Sequence, residues 1–227
     1  MLASHPPLTP PKDIARRLPD PALLQRTLRN NIVVLPTGST LARAAWNPAS
    51  VLPAQVNTTY RFGPPAQSRA ADGSFPFHWI YAAHMPMTAV WEAGLCLNDV
   101  TRPGSFYVAP GAPEALIVTF GLRAPLVLFD ANGLVLSKLG IFDEVSSPDH
   151  AWSQWFGCMV DALVAAEDGR VHGFRYPSRK HCGHEALALS SRELAMLRAN
   201  LSVTKQAFGA TPEYKVLLED LCRVPPP

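Results

Sequence analysis

The sequence predicts an α+β fold in which a mixed, mainly antiparallel sheet forms the core and helices flank it. Hydrophobic residues make up 48% of the 227-residue chain, which is enough for a substantial core. Apolar runs of strand length are interspersed with amphipathic stretches of helical length. The two kinds do not alternate regularly, so the pattern differs from that of a doubly wound parallel sheet.

The first part of the chain, residues 1–39, is predicted to be a proline-rich arm followed by a short helical region. Four prolines fall within residues 1–11, which favours an extended chain over packed structure. Asp20 followed by Pro21 is typical of a helix cap and first turn. Three leucines then share one helical face: Leu23, Leu24 and Leu28.

The central part, residues 40–190, mixes strands and helices. Strands are predicted at residues 41–45, 78–82, 106–109, 115–120, 126–129 and 173–176. Helices are predicted from Pro86 to about residue 97 and from Pro148 to Leu163, where apolar side chains recur at helical spacing.

The last part, residues 191–227, is predicted to form C-terminal helices that pack on the core. Ser190-x-x-Glu193 is a capping box before a run of leucines that extends to Leu201. Thr211 and Pro212 begin one more short helix.

Composition excludes several classes of protein. The formal charge is +2, from 20 basic and 18 acidic residues, which argues against nucleic acid as a direct ligand. No stretch approaches the roughly 20 apolar residues that a membrane span needs. The four cysteines form no Cys-x-x-Cys pair and follow no secretory leader. A cytoplasmic protein with free thiols and no membrane partner is therefore expected.

Familiar cofactor and metal motifs are absent from the sequence. There is neither a Gly-x-Gly-x-x-Gly fingerprint nor a Walker sequence. The segment His181-Cys182-Gly183-His184 resembles part of a zinc site, but Cys158 and Cys222 do not supply a second ligand pair at the usual spacing. We expect a loop there, with no metal and no bound cofactor.

Two arginines and a glutamate stand out in the first half of the chain. Arg43 lies among apolar residues in a predicted strand, and Arg61 lies between aromatic residues ahead of a turn. The strand that contains Tyr81 leads into a helix that places Glu92 beside Trp91. Taken singly, such residues are more often solvated or at a sheet edge than in a site.

The segment Gly173-Phe174-Arg175-Tyr176-Pro177-Ser178 completes this set. Pro177 removes a backbone donor, so the strand stops and Ser178 presents a hydroxyl. Taken in order, the segments with Leu41-Ala42-Arg43, Arg61-Phe62, Tyr81-Ala82-Ala83 and Glu92 resemble the RES-domain family over about residues 40–189. The run from residue 125 to 130, Leu139-Gly140 and the helix with Trp152 and Phe156 also match. The ending Tyr-Pro-Ser is the most specific part.

The resemblance implies a fold like that of ADP-ribosyltransferases and an NAD-degrading activity. Characterised members are toxins of bacterial toxin–antitoxin modules and destroy NAD by hydrolysis or phosphorolysis. NAD, and in some members phosphate, would be substrates. A helix-turn-helix antitoxin covers the active site in the family, and the toxin often dimerises.

The chemistry of NAD suggests a role for each side chain. Arg43 and Arg61 suit the pyrophosphate, since guanidinium groups bind phosphate through charge-assisted bonds. Tyr81, with Phe62 and Tyr176, would contact the nicotinamide or the ribose. Glu92 is the expected catalytic carboxylate, which opposes the growing positive charge on the ribose. Ser178 would fix the pose through a hydrogen bond.

Two alternatives remain open at the level of sequence. An ADP-ribosyltransferase that modifies a macromolecule would share the NAD site and differ only in the acceptor. An inactive relative would keep the fold and act as an interaction protein. The nucleophile, whether water, phosphate or protein, is not fixed by these residues.

Overall fold

The structure, a computed structural model, describes residues 9–227. Pro6 and Pro7 of the predicted arm lie outside the described residues. None of the helices between residues 9 and 227 has the length and apolar character needed to cross a membrane.

Ten strands form within the described residues. They are β1 (Ile32–Leu35), β2 (Thr40–Ala45), β3 (Trp79–Ala83), β4 (Cys96–Asn98), β5 (Phe106–Val108), β6 (Leu116–Leu122), β7 (Leu126–Asp130), β8 (Gly173–Pro177), β9 (Glu185–Ser190) and β10 (Leu201–Ala207). Eight of them make one curled sheet in the order β1-β7-β8-β9-β3-β2-β6-β10, and β4 pairs with β5 separately.

The large sheet is mixed and mainly antiparallel, as the sequence predicts. Only β7 and β8 run parallel among its described neighbours, with Phe129 opposite Phe174 and Asp130 opposite Arg175. Arg175 holds this pair through two hydrogen bonds to the Asp130 carboxylate, at 2.9 and 2.6 Å. The α+β class is therefore confirmed, whereas the likeness to ADP-ribosyltransferases stays a prediction.

Eight α-helices flank the sheet within residues 9–227. They are α1 (Lys12–Ala15), α2 (Pro21–Arg29), α3 (Pro86–Glu92), α4 (Gly133–Lys138), α5 (Phe142–Ser146), α6 (His150–Ala166), α7 (Leu194–Asn200) and α8 (Pro212–Glu219). The predicted cap of α2 is confirmed, because the Asp20 carboxylate accepts a hydrogen bond from the Leu23 backbone N–H at 2.8 Å.

The longest helix, α6, covers the aromatic core. Trp152 and Phe156 stack on it with ring centroids 5.4 Å apart, and Phe156 meets Phe174 of β8 edge to face. All three rings are buried, so this cluster anchors α6 to the sheet beside the end of β8.

Several elements differ from the sequence prediction, and three of the differences fall in predicted helical regions. The helix expected to run to Leu201 ends at Asn200, and the following residues form β10, which pairs with β6 along its whole length. Residues 32–35 form the edge strand β1 inside a region predicted as helical. The helix that begins at Pro86 ends at Glu92, because Gly94 takes a left-handed conformation with φ of 70° and turns the chain into β4.

The sheet is split between β2 and β3. These strands pair at a single register position, Ala42 opposite Ala83, although β2 pairs with β6 over its full length. β3 likewise pairs with β9 over its full length. A sheet that opens in this way leaves unpaired backbone groups along the gap, and those groups need other partners.

Candidate active site

A cavity of about 240 Å³ lies at the split between β2 and β3. Its walls come from β2, β3, the second half of α3, the first residue of α6 and the end of β8 with the two residues after Ser178. Five of the seven residues predicted to form the site line this cavity: Arg43, Arg61, Tyr81, Glu92 and Tyr176.

Glu92, the last residue of α3, has both of its carboxylate oxygens held by hydrogen bonds. Its Oε1 accepts a hydrogen bond from the Ser178 hydroxyl at 2.6 Å. Its Oε2 accepts a second one from the Tyr176 hydroxyl at 3.2 Å. Both oxygens are therefore fixed in orientation, which pre-organises the carboxylate toward the cavity.

Ser178 lies just behind the cavity wall, with 5% of its surface exposed. Its hydroxyl oxygen also accepts a hydrogen bond from the His181 backbone N–H at 3.0 Å. The Ser178 N–H donates to the His184 carbonyl at 2.8 Å, so the loop folds back on itself. The rings of His181 and His184 stack 4.0 Å apart, in the predicted loop.

Arg43 bridges the split in the sheet. Its Nη1 donates to the Tyr81 carbonyl at 2.6 Å, and its Nε and Nη2 both donate to the Ser50 carbonyl, at 3.2 and 2.8 Å. The guanidinium thus satisfies backbone acceptors where β2 and β3 no longer pair. Burial lowers the pKa of Arg43 to about 10, which leaves it charged at neutral pH.

Arg61 is buried, and two of its nitrogens, Nε and Nη2, have no hydrogen-bond partner among the described residues. Its Cζ lies 5.0 Å from the Phe62 ring centroid and 5.8 Å from that of Tyr176. Burial lowers the pKa of this arginine. A buried, incompletely paired charge is costly, and it is typical of a group that awaits an anion.

The backbone beside Arg61 is locked from two sides. The Ser153 hydroxyl of α6 donates to the Arg61 carbonyl at 2.6 Å, and the Trp79 indole N–H donates to the Phe62 carbonyl at 2.7 Å. Gly157 of α6 lies against the Phe62 carbonyl, where a Cβ atom would clash. The arginine is therefore placed by α6 and β3 together.

Phe62 does not line the cavity. Its ring is fully buried and packs edge to face on Phe174 and Tyr176, at 5.1 and 4.8 Å. The Phe62 ring packs against both Arg61 and Tyr176 on the side away from the cavity. The Tyr81 hydroxyl accepts a hydrogen bond from the Phe62 N–H at 3.2 Å, and burial raises the pKa of Tyr81, so its phenol stays neutral.

Comparison with known protein families shows which family the chain belongs to. A search against family models matches the RES domain over residues 40–209. The chain belongs to the RES-domain family. Members of that family are commonly toxins of toxin–antitoxin modules. No curated protein matches the chain.

The RES match covers several cavity residues that the sequence prediction did not include. His150, Arg179 and Lys180 line one side, and Trp46 lines another. Arg179 and Lys180 directly follow Ser178, so their place in the sequence could have revealed them. His150, the first residue of α6, is brought to the cavity by folding, whereas Trp46 directly follows β2 and lies three residues after Arg43.

The RES cavity is strongly cationic. Arg43, Arg61, Arg179 and Lys180 line it, and among the described lining residues Glu92 is the only carboxylate. No three His, Cys, Asp or Glu side chains of the described chain converge in a way that could hold a metal ion. The cavity thus combines an anion-binding lining with one oriented carboxylate.

Proposed function

We propose that this RES-domain protein cleaves the bond between nicotinamide and ribose in NAD. One observation carries the proposal: a single carboxylate, Glu92, is oriented by Ser178 and Tyr176 inside a cavity whose other charged lining residues are arginines and a lysine. The carboxylate can stabilise a ribosyl cation, and the cationic side chains can bind a diphosphate.

The reaction breaks the bond from ribose C1′ to the nicotinamide nitrogen. The electron pair of that bond stays on nicotinamide and neutralises its pyridinium charge, so the base leaves as a neutral molecule. Positive charge develops on the ribose, as in glycoside cleavage. Glu92 opposes that charge, and water or phosphate then bonds to C1′ with loss of a proton when water attacks.

Several aromatic side chains suit the nicotinamide and the ribose. The rings of Tyr60 and Tyr81 meet edge to face at 6.4 Å, and both residues line the cavity. A cavity of about 240 Å³ is smaller than the 300–1,000 Å³ typical of whole small-ligand sites. It therefore suits the reacting half of the dinucleotide, with the adenosine half at the rim.

NAD is the substrate in this proposal, and no further cofactor takes part. The cellular role that follows is that of a toxin, neutralised by a helix-turn-helix antitoxin that covers the cavity. Two aromatic side chains at the cavity, Trp46 and Tyr60, are 45% and 58% exposed and are accessible to such a partner.

Analysis of products by mass spectrometry tests the proposal. Folded protein, free of any antitoxin, is incubated with NAD, with and without phosphate. We expect nicotinamide together with ADP-ribose or its 1-phosphate. ADP-ribose attached to a protein would instead identify a transferase, and no nicotinamide under either condition would reject the proposal.

A further inference from the structure

One side of the cavity brings together three cations and a histidine from three separate segments. We call Arg61, His150, Arg179 and Lys180 the cationic wall, and all four line the cavity. Their proximity shows in their mutual electrostatics. After burial, the charge of Arg179 is the next influence that lowers the pKa of His150, and Arg61 and Lys180 add to it.

The same charges act on the other members. Burial is the largest cause of the lowered pKa of Arg61 and of Lys180; the charge of Arg179 lowers both further, and that of Arg61 also lowers the pKa of Lys180. Like charges held this close repel one another, so the wall is more stable when an anion lies between its members.

The two arginines of the wall have unused hydrogen-bonding capacity. Arg61 has two buried nitrogens without partners. The Arg179 side chain is exposed and makes no hydrogen bond or ion pair with any other residue described, 9 to 227. Guanidinium groups in this state are suited to bidentate binding of phosphate oxygens.

Arg43 has less unused hydrogen-bonding capacity than Arg61 and Arg179. All three of its guanidinium nitrogens already donate to main-chain carbonyls, those of Ser50 and Tyr81. Only two of its five N–H groups, one on Nη1 and one on Nη2, remain for a ligand, because the Nε side of the fork is committed to the Ser50 carbonyl. Its contacts fit a group that maintains the shape of the cavity.

The cationic wall begins next to the catalytic carboxylate. Lys180 Nζ donates to the Glu92 backbone carbonyl at 3.2 Å, at the end of α3. A ribose bound at the Glu92 carboxylate would therefore lie beside the wall, and the diphosphate of NAD is attached to that ribose at its 5′ oxygen.

We propose that Arg61 and Arg179, with His150 and Lys180 beside them, bind the diphosphate, and that Arg43 is a positioning residue. This rests on the proposed function, because it places the phosphates of the same substrate. The proposal keeps Arg61 as a ligand of the diphosphate. It replaces Arg43 with residues from the start of α6 and from the segment after β8.

Binding of ADP, which carries a diphosphate and no nicotinamide, tests the assignment apart from catalysis. Titration calorimetry compares ADP with adenosine for the wild type, Arg179→Gln and a control, Arg123→Gln, whose side chain is exposed and does not line the cavity. We expect Arg179→Gln to weaken ADP binding by about 10-fold or more, as for a lost charge-assisted hydrogen bond. Its affinity for adenosine and the control's affinity for ADP should be unchanged.

Three results would overturn the assignment. The first is that the wild type does not bind ADP at millimolar concentration. The second is that Arg179→Gln binds ADP as tightly as the wild type does. The third is that Arg179→Gln loses as much affinity for adenosine as for ADP. If ADP binding depends on Arg179 but NAD is not cleaved, the wall stands and the proposed function fails. If NAD is cleaved but ADP binding does not depend on Arg179, the proposed function stands and the assignment of the diphosphate to the wall fails.

Arg43→Lys tests the positioning role. We expect ADP affinity within about twofold of the wild type, and a fall in kcat for NAD cleavage with little change in KM. A loss of ADP affinity as large as that of Arg179→Gln, in protein with the wild-type melting temperature, would contradict it. If Arg43→Lys does not fold, the Arg179 comparison still decides the assignment of the wall.

Discussion

The Glu92 carboxylate is held by two hydroxyls that differ in distance, and this difference has a measurable consequence. Ser178 Oγ lies 2.6 Å from Oε1, and Tyr176 OH lies 3.2 Å from Oε2. Hydrogen bonds of O–H to a carboxylate are strongest at about 2.5–2.7 Å. Ser178 also receives the His181 N–H, so it couples the carboxylate to the loop after β8.

We therefore expect Ser178→Ala to lower the rate of NAD cleavage more than Tyr176→Phe does. A loss of about 10- to 100-fold is expected for Ser178→Ala, since a hydrogen bond to a charged group contributes about 1.5–3 kcal/mol. Steady-state rates of nicotinamide release measure both. A larger effect of Tyr176→Phe would show that the distances do not reflect the functional contacts.

At the level of single residues, the sequence predicted five side chains that line the cavity, through their resemblance to a family pattern. It could not predict that Phe62 lies beneath the wall. Phe62 and Arg61 are adjacent in the chain, and only the packing of Phe62 on Phe174 and Tyr176 separates their roles. Periodicity does not reveal which way a turn residue points.

At the level of elements, α6 and the turn that carries Arg61 and Phe62 depend on one close approach. Gly157 lies against the Phe62 carbonyl, which also accepts the Trp79 N–H. Both contacts fix the backbone that carries Arg61. The position of this arginine is therefore set by a helix almost 100 residues further along the chain.

We expect Gly157→Ala to destabilise the protein by about 1–3 kcal/mol, the usual cost of overpacking a core. Thermal unfolding followed by circular dichroism measures this. Gly133→Ala is the matched control, because a Cβ at Gly133 of α4 would meet the Phe142 ring at an ordinary 3.4 Å. Equal melting temperatures of Gly157→Ala and wild type would contradict the close approach.

Two strands that the sequence did not predict, β9 and β10, lack the residue pattern of a half-buried strand. β10 is an edge strand that exposes most of its residues, so it lacks the apolar alternation that identifies a strand. β9 reads Glu-Ala-Leu-Ala-Leu-Ser, a composition that favours a helix, yet its centre is buried between β8 and β3. Tertiary pairing overrides local preference in both cases.

At the level of the whole molecule, buried histidines link stability to pH. His172, the residue before β8, is bonded to Val127 of β7. Its backbone N–H donates to the Val127 carbonyl at 2.8 Å, and its ring Nδ1 accepts a hydrogen bond from the Val127 backbone N–H at 2.9 Å. Burial lowers the pKa of His172 below its usual value of about 6.5. Nδ1 accepts a bond only when it is unprotonated, so the folded state holds the neutral ring.

The sign of the effect follows from the proton balance. Below pH about 6.5 the unfolded chain binds a proton at His172 that the folded protein does not, so the stability present at higher pH is lost as the pH falls. We expect His172→Asn, whose amide oxygen accepts the same bond without titrating, to reduce this loss by at most about 1.4 kcal/mol per pH unit. Urea unfolding at pH 7.5 and 5.5 measures it, and identical pH dependence in both proteins would contradict the role of His172.

The whole molecule is a split sheet with one carboxylate at the opening and cations around it. The proposed function depends on NAD cleavage at Glu92. Nicotinamide release from NAD by the wild type, Glu92→Gln and Glu219→Gln tests it most directly, since Glu219 is also the last residue of its helix but is exposed on α8. We predict release by the wild type and by Glu219→Gln, and a rate lower by about 10²- to 10³-fold for folded Glu92→Gln. A rate for folded Glu92→Gln equal to that of the wild type would contradict the account.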